Sequence, residues 1–388
     1  MSTIESSIVP VIELRTDPHA DELRFRLSGV NVSIANALRR IILSDIPLVV
    51  FRVSPNEKSK CVVFANTCGL NNEIVKHRLS CIPIHLKVGE EIKFGQQDLP
   101  IESCIMEVNV QNDKPDTSIV VTTKDFVIRS KRSEDLKLQD EAARTIFPAD
   151  STTGDFIDFV RLKARPSEDI PAKSIHLTCE FDIGTAKEDG AYNAVSTCSY
   201  GNTVDETAQE AKLQLLKQQW KDTGKDVKFE EDNWRLLEGK RIFVRDSFDF
   251  IIQTACVYTN EELLVLACDI MLKKLEDLKD VVGQNKLQVK SAESTMKNSF
   301  DIILENEDYT LGKVIEYFLL TKFYDTKMLT FCGFKMLHPH DTFSVIRVAY
   351  NDTVDKATVG GHLVECVEYA KHVFSQMHRR FSQHVDRI

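Results

Sequence analysis

The chain has no C-x-x-C pair, no glycine-rich phosphate loop, no excess of basic charge and no apolar run of membrane-span length. Each absence removes a class of function. Its ten cysteines, at 61, 68, 81, 104, 179, 198, 256, 268, 332 and 366, are scattered, and several lie inside apolar patterns. That fits reduced core thiols better than a disulfide framework. Cys61, Cys68, Cys81 and Cys104 lack the paired short spacing of a zinc site, so no metal and no cofactor is expected. Lys and Arg number 49 against 59 Asp and Glu, a formal net charge of −10, which argues against nucleic acid as the main ligand. Residues 299–388 are no hidden basic domain, with 10 basic and 12 acidic side chains. The opening MSTIESSIVP lacks a basic region followed by an apolar run, so an intracellular, soluble protein with no membrane partner is expected.

What is present is a long chain with an ordinary composition. At 388 residues, 43% hydrophobic and 28% charged, it can build two or three domains with real cores. Its organising stretch is Ser33 to Pro47, SIANALRRIILSDIP, whose pattern recurs 277 residues later as Thr310 to Leu320, TLGKVIEYFLL. Ser33 matches Thr310, Ile34 Leu311, Ala35 Gly312, Leu38 Ile315, Ile41 Phe318 and Ile42 Leu319. Phe25 and Leu27 stand at the same offset from Ile302 and Leu304, so each copy reads strand, hydroxyl N-cap, helix.

Ile34, Ala37, Leu38, Ile41 and Ile42 follow the i, i+3, i+4, i+7, i+8 rule and form one apolar face that must bury. Pro47 is expected to end this helix at Ile46. On the other side Asn36, Arg39 and Arg40 surround Leu43, which suggests a partner-facing surface. A second pair of long helices closes the copies. One carries Leu264, Cys268, Met271, Leu275 and Leu278 behind a capping-box spacing of Thr259 and Glu262. The other carries Leu363, Val367, Ala370, Phe374, Met377 and Phe381. Both are seams suited to helix-on-helix packing.

From 52 to 170 the pattern changes to short alternating runs, such as Met106, Val108 and Val110, broken by turn-rich segments. The expected organisation is therefore 1–51 with 171–282 as one domain, 52–170 as a mostly β insertion, 283–298 as a linker and 299–388 as a second domain. As a flexible coil the linker would span roughly 22 Å. The polar helix from Ala208 to Trp220 reads as a solvated surface element.

Asn66 to Ile84, NTCGLNNEIVKHRLSCIPI, holds a short helix expected to bury Ile74 and Leu79 and to turn Glu73, Lys76, His77 and Arg78 elsewhere. Glu73, His77 and Arg78 could be read as acid–base machinery, but no nucleophile, metal set or phosphate loop accompanies them. Together with NALRRIILSDIP, this run resembles the signature of the alpha-type, third-largest subunit of RNA polymerase: Asn66, Thr67, Glu73, His77, Arg78, Leu79, Ile82, Pro83 and Ile84 stand in the matching places. Gly184 to Asn193, GTAKEDGAYN, resembles the same family's turn, with Asp189 where the family has histidine and Gly190 where alanine is usual. Glu305 to Gly312, ENEDYTLG, and Phe331 to Pro339, FCGFKMLHP, resemble the small alpha-like partner subunit.

The resemblance implies an α+β fold with two alpha-type dimerisation units, each a sheet plus two helices, forming an intramolecular pseudo-heterodimer with a mostly β insertion in the first. Ile34, Leu38, Ile41, Ile42, Leu311, Ile315, Phe318, Leu319, Val367 and Phe374 would make the internal dimerisation contacts. Asn36, Arg39, Arg40, Leu43, Glu73, His77 and Arg78 would bind partners, namely the largest and second-largest polymerase subunits, with small zinc-binding subunits as further candidates. Nucleic acid would be met only through the complex, and no homodimer is expected. The implied role is a non-catalytic assembly platform. The fusion of the two units is similar to that of nucleocytoplasmic large DNA viruses, whose factories lie in the host cytoplasm. A free-standing protein-interaction scaffold on the same fold is the alternative.

Overall fold

The computed structural model describes residues 10–14, 22–94, 97–132, 136–165, 167, 169–255 and 257–385, which form an α+β fold. They divide into two compact units. One holds the described residues up to Leu43, then Ser196–Gln253 and those from Asn260 onward; the other holds Ser44–Val195 and Thr254–Thr259.

The first unit opens with β1 (Val11–Leu14), antiparallel to β2 (Glu22–Ser28), and α1 (Val32–Ser44). Leu23, Phe25 and Leu27 alternate into the core with the period of a strand. In α1 the buried residues are Ile34, Ala35, Ala37, Leu38, Ile41 and Ile42. The N-terminal cap is Asn31 rather than the expected Ser33: its Oδ1 accepts from the Ser33 N–H at 2.9 Å. The helix ends at Ser44, two residues short of the expected Ile46, consistent with the restriction that Pro47 places on the residue before it.

The second unit contains β3 (Leu48–Phe51), β4 (Cys61–Asn66), α2 (Asn72–Ser80), β5 (Glu91–Phe94), β6 (Gln97–Pro100) and β7 (Cys104–Asn112). It continues with β8 (Ile119–Thr122), β9 (Val127–Ser130), α3 (Asp140–Ile146), β10 (Asp158–Leu162) and β11 (Lys173–Gly184). β11 is its spine. It pairs with β7 along one edge and with β4 and then β3 along the other, and β9 lies beyond β7. Ile175, Leu177, Cys179 and Phe181 point from β11 into a core with Phe51, Met106, Val108 and Phe159. This unit is wider than the expected 52–170 insertion. β3 and β11, assigned above to the dimerisation domain, hydrogen-bond to each other in the insertion's own sheet.

The chain returns to the first unit through β12 (Val195–Val204), α4 (Glu206–Asp222), α5 (Val227–Leu236), β13 (Phe243–Thr254) and α6 (Asn260–Gly283). The sheet order is β1-β2-β13-β12. α4 is not the fully solvated helix expected: α5 folds back on it, and Leu213, Trp220 and Trp234 make a small core of their own. Next come β14 (Gln288–Ser291), β15 (Ser299–Glu305), α7 (Tyr309–Leu319), β16 (Leu329–Lys335), β17 (Phe343–Tyr350) and α8 (Lys356–Val385). The expected linker is thus not all coil, because β14 lies within it and pairs with β15.

The second sheet has the order β14-β15-β17-β16, the same arrangement as the first. β2 and β15 are both seven residues long and 277 positions apart, as are the starts of α1 and α7. The repeat extends to the caps, since Asp308 stands where Asn31 does and accepts from the Thr310 N–H; Thr310 itself, expected as the cap, is the second helical residue. Each sheet is followed by its long helix, and these two pack on each other within the unit.

Candidate functional site

In the seam between α6 and α8, Leu264, Cys268, Met271, Leu275, Val367, Ala370, Phe374 and Met377 are all essentially inaccessible. Lys279 meets Glu368 at 2.7 Å, Asp269 meets His378 at 3.1 Å, and Glu276 pairs with Lys371, so the helices run antiparallel. Burial of a large apolar side chain contributes about 1.5–3 kcal/mol, whereas exposed ion pairs contribute little, so the apolar seam holds the halves together. Leu311, Ile315, Phe318 and Leu319 of α7 are buried in the same unit as Ile34, Leu38, Ile41 and Ile42 of α1.

Arg40, expected on a partner-facing surface, is half-buried and also makes bonds inside the unit. Its Nη2 donates to Asp308 Oδ2 at 2.8 Å and its Nε to Thr310 Oγ1 at 2.9 Å. The guanidinium therefore grips the N-terminus of α7 and ties the two copies together. Arg39 donates twice to Asn36 Oδ1, at 3.1 and 3.0 Å, and its charge opposes the burial that raises the Cys198 thiol and the Tyr200 hydroxyl. Asn36, Arg39 and Leu43 are half-buried.

In the second unit α2 is capped by Asn71, whose side chain accepts from the Ile74 N–H at 2.9 Å. The residue that buries with Leu79 is Val75, not the expected Ile74, which is 44% exposed. Glu73 and His77 are exposed. Arg78 is exposed as well, and it donates to the carbonyl of Phe159 at 2.6 Å and to that of Asp158 at 2.9 Å, which pins β10. Carbonyls on that strand gain a partner from a guanidinium fork instead of a further strand.

The turn after β11 is built around a residue that sequence reasoning missed, Arg52. It donates to Asp182 at 2.5 Å, to Glu188 at 2.8 Å and to the Ile183 carbonyl at 2.7 Å. Burial opposes the shift of Asp182, but the bonds from Arg52, the Ile183 N–H and Lys60 hold its carboxyl below the usual range. Gly184 is required by packing, because a Cβ there would lie 2.8 Å from the Tyr192 ring. Asp189, which replaces the family's histidine, accepts from the Ala191 N–H at 2.9 Å and caps the following turn. This turn and the Ser80–Ile84 segment, both singled out in the sequence, line one cavity of about 170 Å³.

Burial pushes the thiols of Cys104 up to about 11 and of Cys198 and Cys332 up to about 12, so they are protonated and poorly nucleophilic at neutral pH. Cys61 faces Cys179 across β4 and β11. The interaction of the two sulfurs holds the Cys61 thiol below its ordinary value and, with burial, raises that of Cys179, whose Sγ donates to the Glu180 carbonyl at 3.5 Å. In the loop after β16, His338 Nδ1 accepts from the His340 N–H at 3.1 Å. No helix of the described residues is long and apolar enough to cross a membrane.

A strand–helix unit stands at each end of the first compact unit, and a family model described as the RNA polymerase Rpb3/Rpb11 dimerisation domain matches residues 24–275, from β2 to α6. The chain belongs to that family. Among curated relatives of this Rpb3/Rpb11 type, the DNA-directed RNA polymerases I and III subunit RPAC1 of Homo sapiens is 27% identical over 206 residues, 50% of this chain and 55% of that protein. The subunit of the same name in Saccharomyces cerevisiae is 25% identical over 308 residues, covering 67% of this chain and 84% of the relative. DNA-directed RNA polymerase subunit Rpo3 of Pyrococcus furiosus is 34% identical over 95 residues, 24% of this chain and 33% of its own length. The chain spans about half the length of most of the RPAC1 relatives it matches. The family match ends at 275, ahead of the second strand–helix copy.

Proposed function

We propose that this chain is the assembly platform of a multisubunit DNA-directed RNA polymerase, with a large and a small alpha-like unit in one polypeptide. The observation that carries the reading is the second copy: β14 to α8 repeat the sheet order of the first copy and pack on it through α6 and α8 within one compact unit. What two separate chains would supply by association is supplied here intramolecularly, at an effective concentration of order millimolar and in fixed one-to-one ratio. The domains on this reading are a large alpha-type unit, its mostly β insertion, and a small unit from about 299. The platform is non-catalytic. It nucleates assembly of the largest and second-largest subunits, which hold the active site, and small zinc-binding subunits are further candidate partners.

Glu73, His77 and Arg78 on α2, with Asn36, Arg39, Arg40 and Leu43 on α1, are the candidate docking side chains; Arg40 and Arg78 also hold neighbouring elements of their own units. The fused arrangement favours a large DNA virus as the source and the host cytoplasm as the place of work. The test is affinity purification of the tagged protein from its native source with mass spectrometry. Two chains of polymerase size are expected, lost in Glu73→Lys/His77→Glu while thermal unfolding is unchanged. Recovery of the chain alone, or with unrelated proteins, would leave a free-standing scaffold in its place.

A further inference from the structure

The strands that end a sheet leave a row of N–H and C=O groups without a ladder partner, and proteins blunt such edges by shortness, charge, proline or a bulge. In the first compact unit, β1 and β14 are each four residues long, and β14 carries Lys290. β16 carries Lys335 and has a register break between Leu329 and Phe331. β12 is different. It runs for ten residues, VSTCSYGNTV, with no charge and no proline, and among the described residues its one sheet neighbour is β13.

The strand is also held in place from one side. Cys198 is buried, and the Tyr200 ring lies 5.3 Å from that of Phe248 and 5.1 Å from that of Phe250. Thr203 Oγ1 accepts from the Ser247 hydroxyl at 2.8 Å. Ser196, Thr197, Ser199, Gly201 and Asn202 remain exposed, all small and neutral. The result is a pre-ordered, uncharged edge of about 30 Å over Ser196–Val204.

We infer that the outer edge of β12 is a docking site for an extended segment of a partner polypeptide, which adds to the sheet as a further strand. Groups at strand spacing are matched by another extended backbone, not by a helix or a nucleic acid, so main-chain hydrogen bonds supply the affinity. The neutral edge fits a neutral segment and specifies its side chains weakly. The source is a polymerase partner rather than a second copy of this chain, because the packing that a second copy of this unit would bring is already supplied internally by α7 and α8. The inference rests on the platform reading.

The experiment is hydrogen exchange with mass spectrometry on the full chain, free and in the assembly purified through its tag. In the assembly, about half of the amides of residues 197–204 should exchange at least tenfold more slowly than in the free chain. Thr197→Lys/Ser199→Lys, at exposed positions, should abolish that protection while leaving the unfolding temperature unchanged. An assembly in which β12 exchanges as it does in the free chain overturns the edge and leaves the platform reading standing. Absence of any assembly removes both. Protection of β12 that grows with concentration of the free chain would make the occupant a second copy and overturn the assignment to a partner.

Discussion

Arg40 gives the sharpest test of how the two copies are joined. Its guanidinium reaches both Asp308, the cap of α7, and Thr310, and the side chains of Arg40 and Asp308 are 32% and 25% exposed. A hydrogen bond to a charged group contributes about 1.5–3 kcal/mol net, and partial exposure reduces this to about 1–2 kcal/mol for the ion pair. Arg40→Met removes the pair, and Asp308→Asn neutralises it while keeping a side chain that can cap the helix. The double variant should lose about 1–2 kcal/mol less than the sum of the single losses. For a unit of this size each single change should lower the calorimetric transition by about 2–8 °C. Losses that add to within about 0.5 kcal/mol would refute the link, and Arg40 would return to the outer surface.

Gly312→Ala should destabilise despite the gain of about 0.8–1.0 kcal/mol in helix propensity, because the new Cβ would lie 1.9 Å from Cε2 of the Phe334 ring and overpacking costs about 1–3 kcal/mol. Phe334 cannot easily yield, since its N–H donates to Glu316 at 3.0 Å and its ring meets Tyr309 at 5.0 Å; a raised denaturation midpoint would contradict this. His362 lies 4.3 Å from the Phe323 ring and 3.0 Å from the Tyr350 hydroxyl, and burial holds its pKa below the ordinary 6.5. Its contribution to stability is therefore present above pH 6.5 and is lost as pH falls through the folded value. The unfolding temperature should drop between pH 7.5 and 5.5, and His362→Asn should flatten that slope; an unchanged slope would show that other groups set it.

The periodic parts of this fold were legible in the sequence because burial has only two periods to offer. Ile34 to Ile42, Leu363 to Phe381 and Ile175 to Phe181 all bury on the faces their spacing indicates. The repeat was legible too, and Asn31 and Asp308, at the same offset as the rest, were the cap signal that the more obvious hydroxyls of Ser33 and Thr310 concealed. What could not be read was which charged residue faces inward. Arg39, Arg40 and Arg78 look alike on a helix, and only tertiary neighbours tell Arg40, tied to Asp308, from a solvated side chain. Arg52 left no mark of its own, because its acceptors at 182, 183 and 188 lie about 130 residues away. Ile74 was misplaced because a helix of nine residues offers too few turns to fix its apolar face.

In the seam, apolar burial and charge do different things. Repeats of four and three would let α8 slide along α6 by about one turn and still meet apolar side chains, so burial alone does not set the register. The ion pairs do. With Lys279 against Glu368 and Glu276 against Lys371, a slip of three residues in one direction brings Lys279 to Lys371, and in the other brings Glu276 to Glu368. Either slip exchanges attraction for like-charge repulsion. Charges too exposed to hold the halves together are thereby sufficient to select one alignment of them, and with it the placement of α7 that Arg40 and Asp308 require.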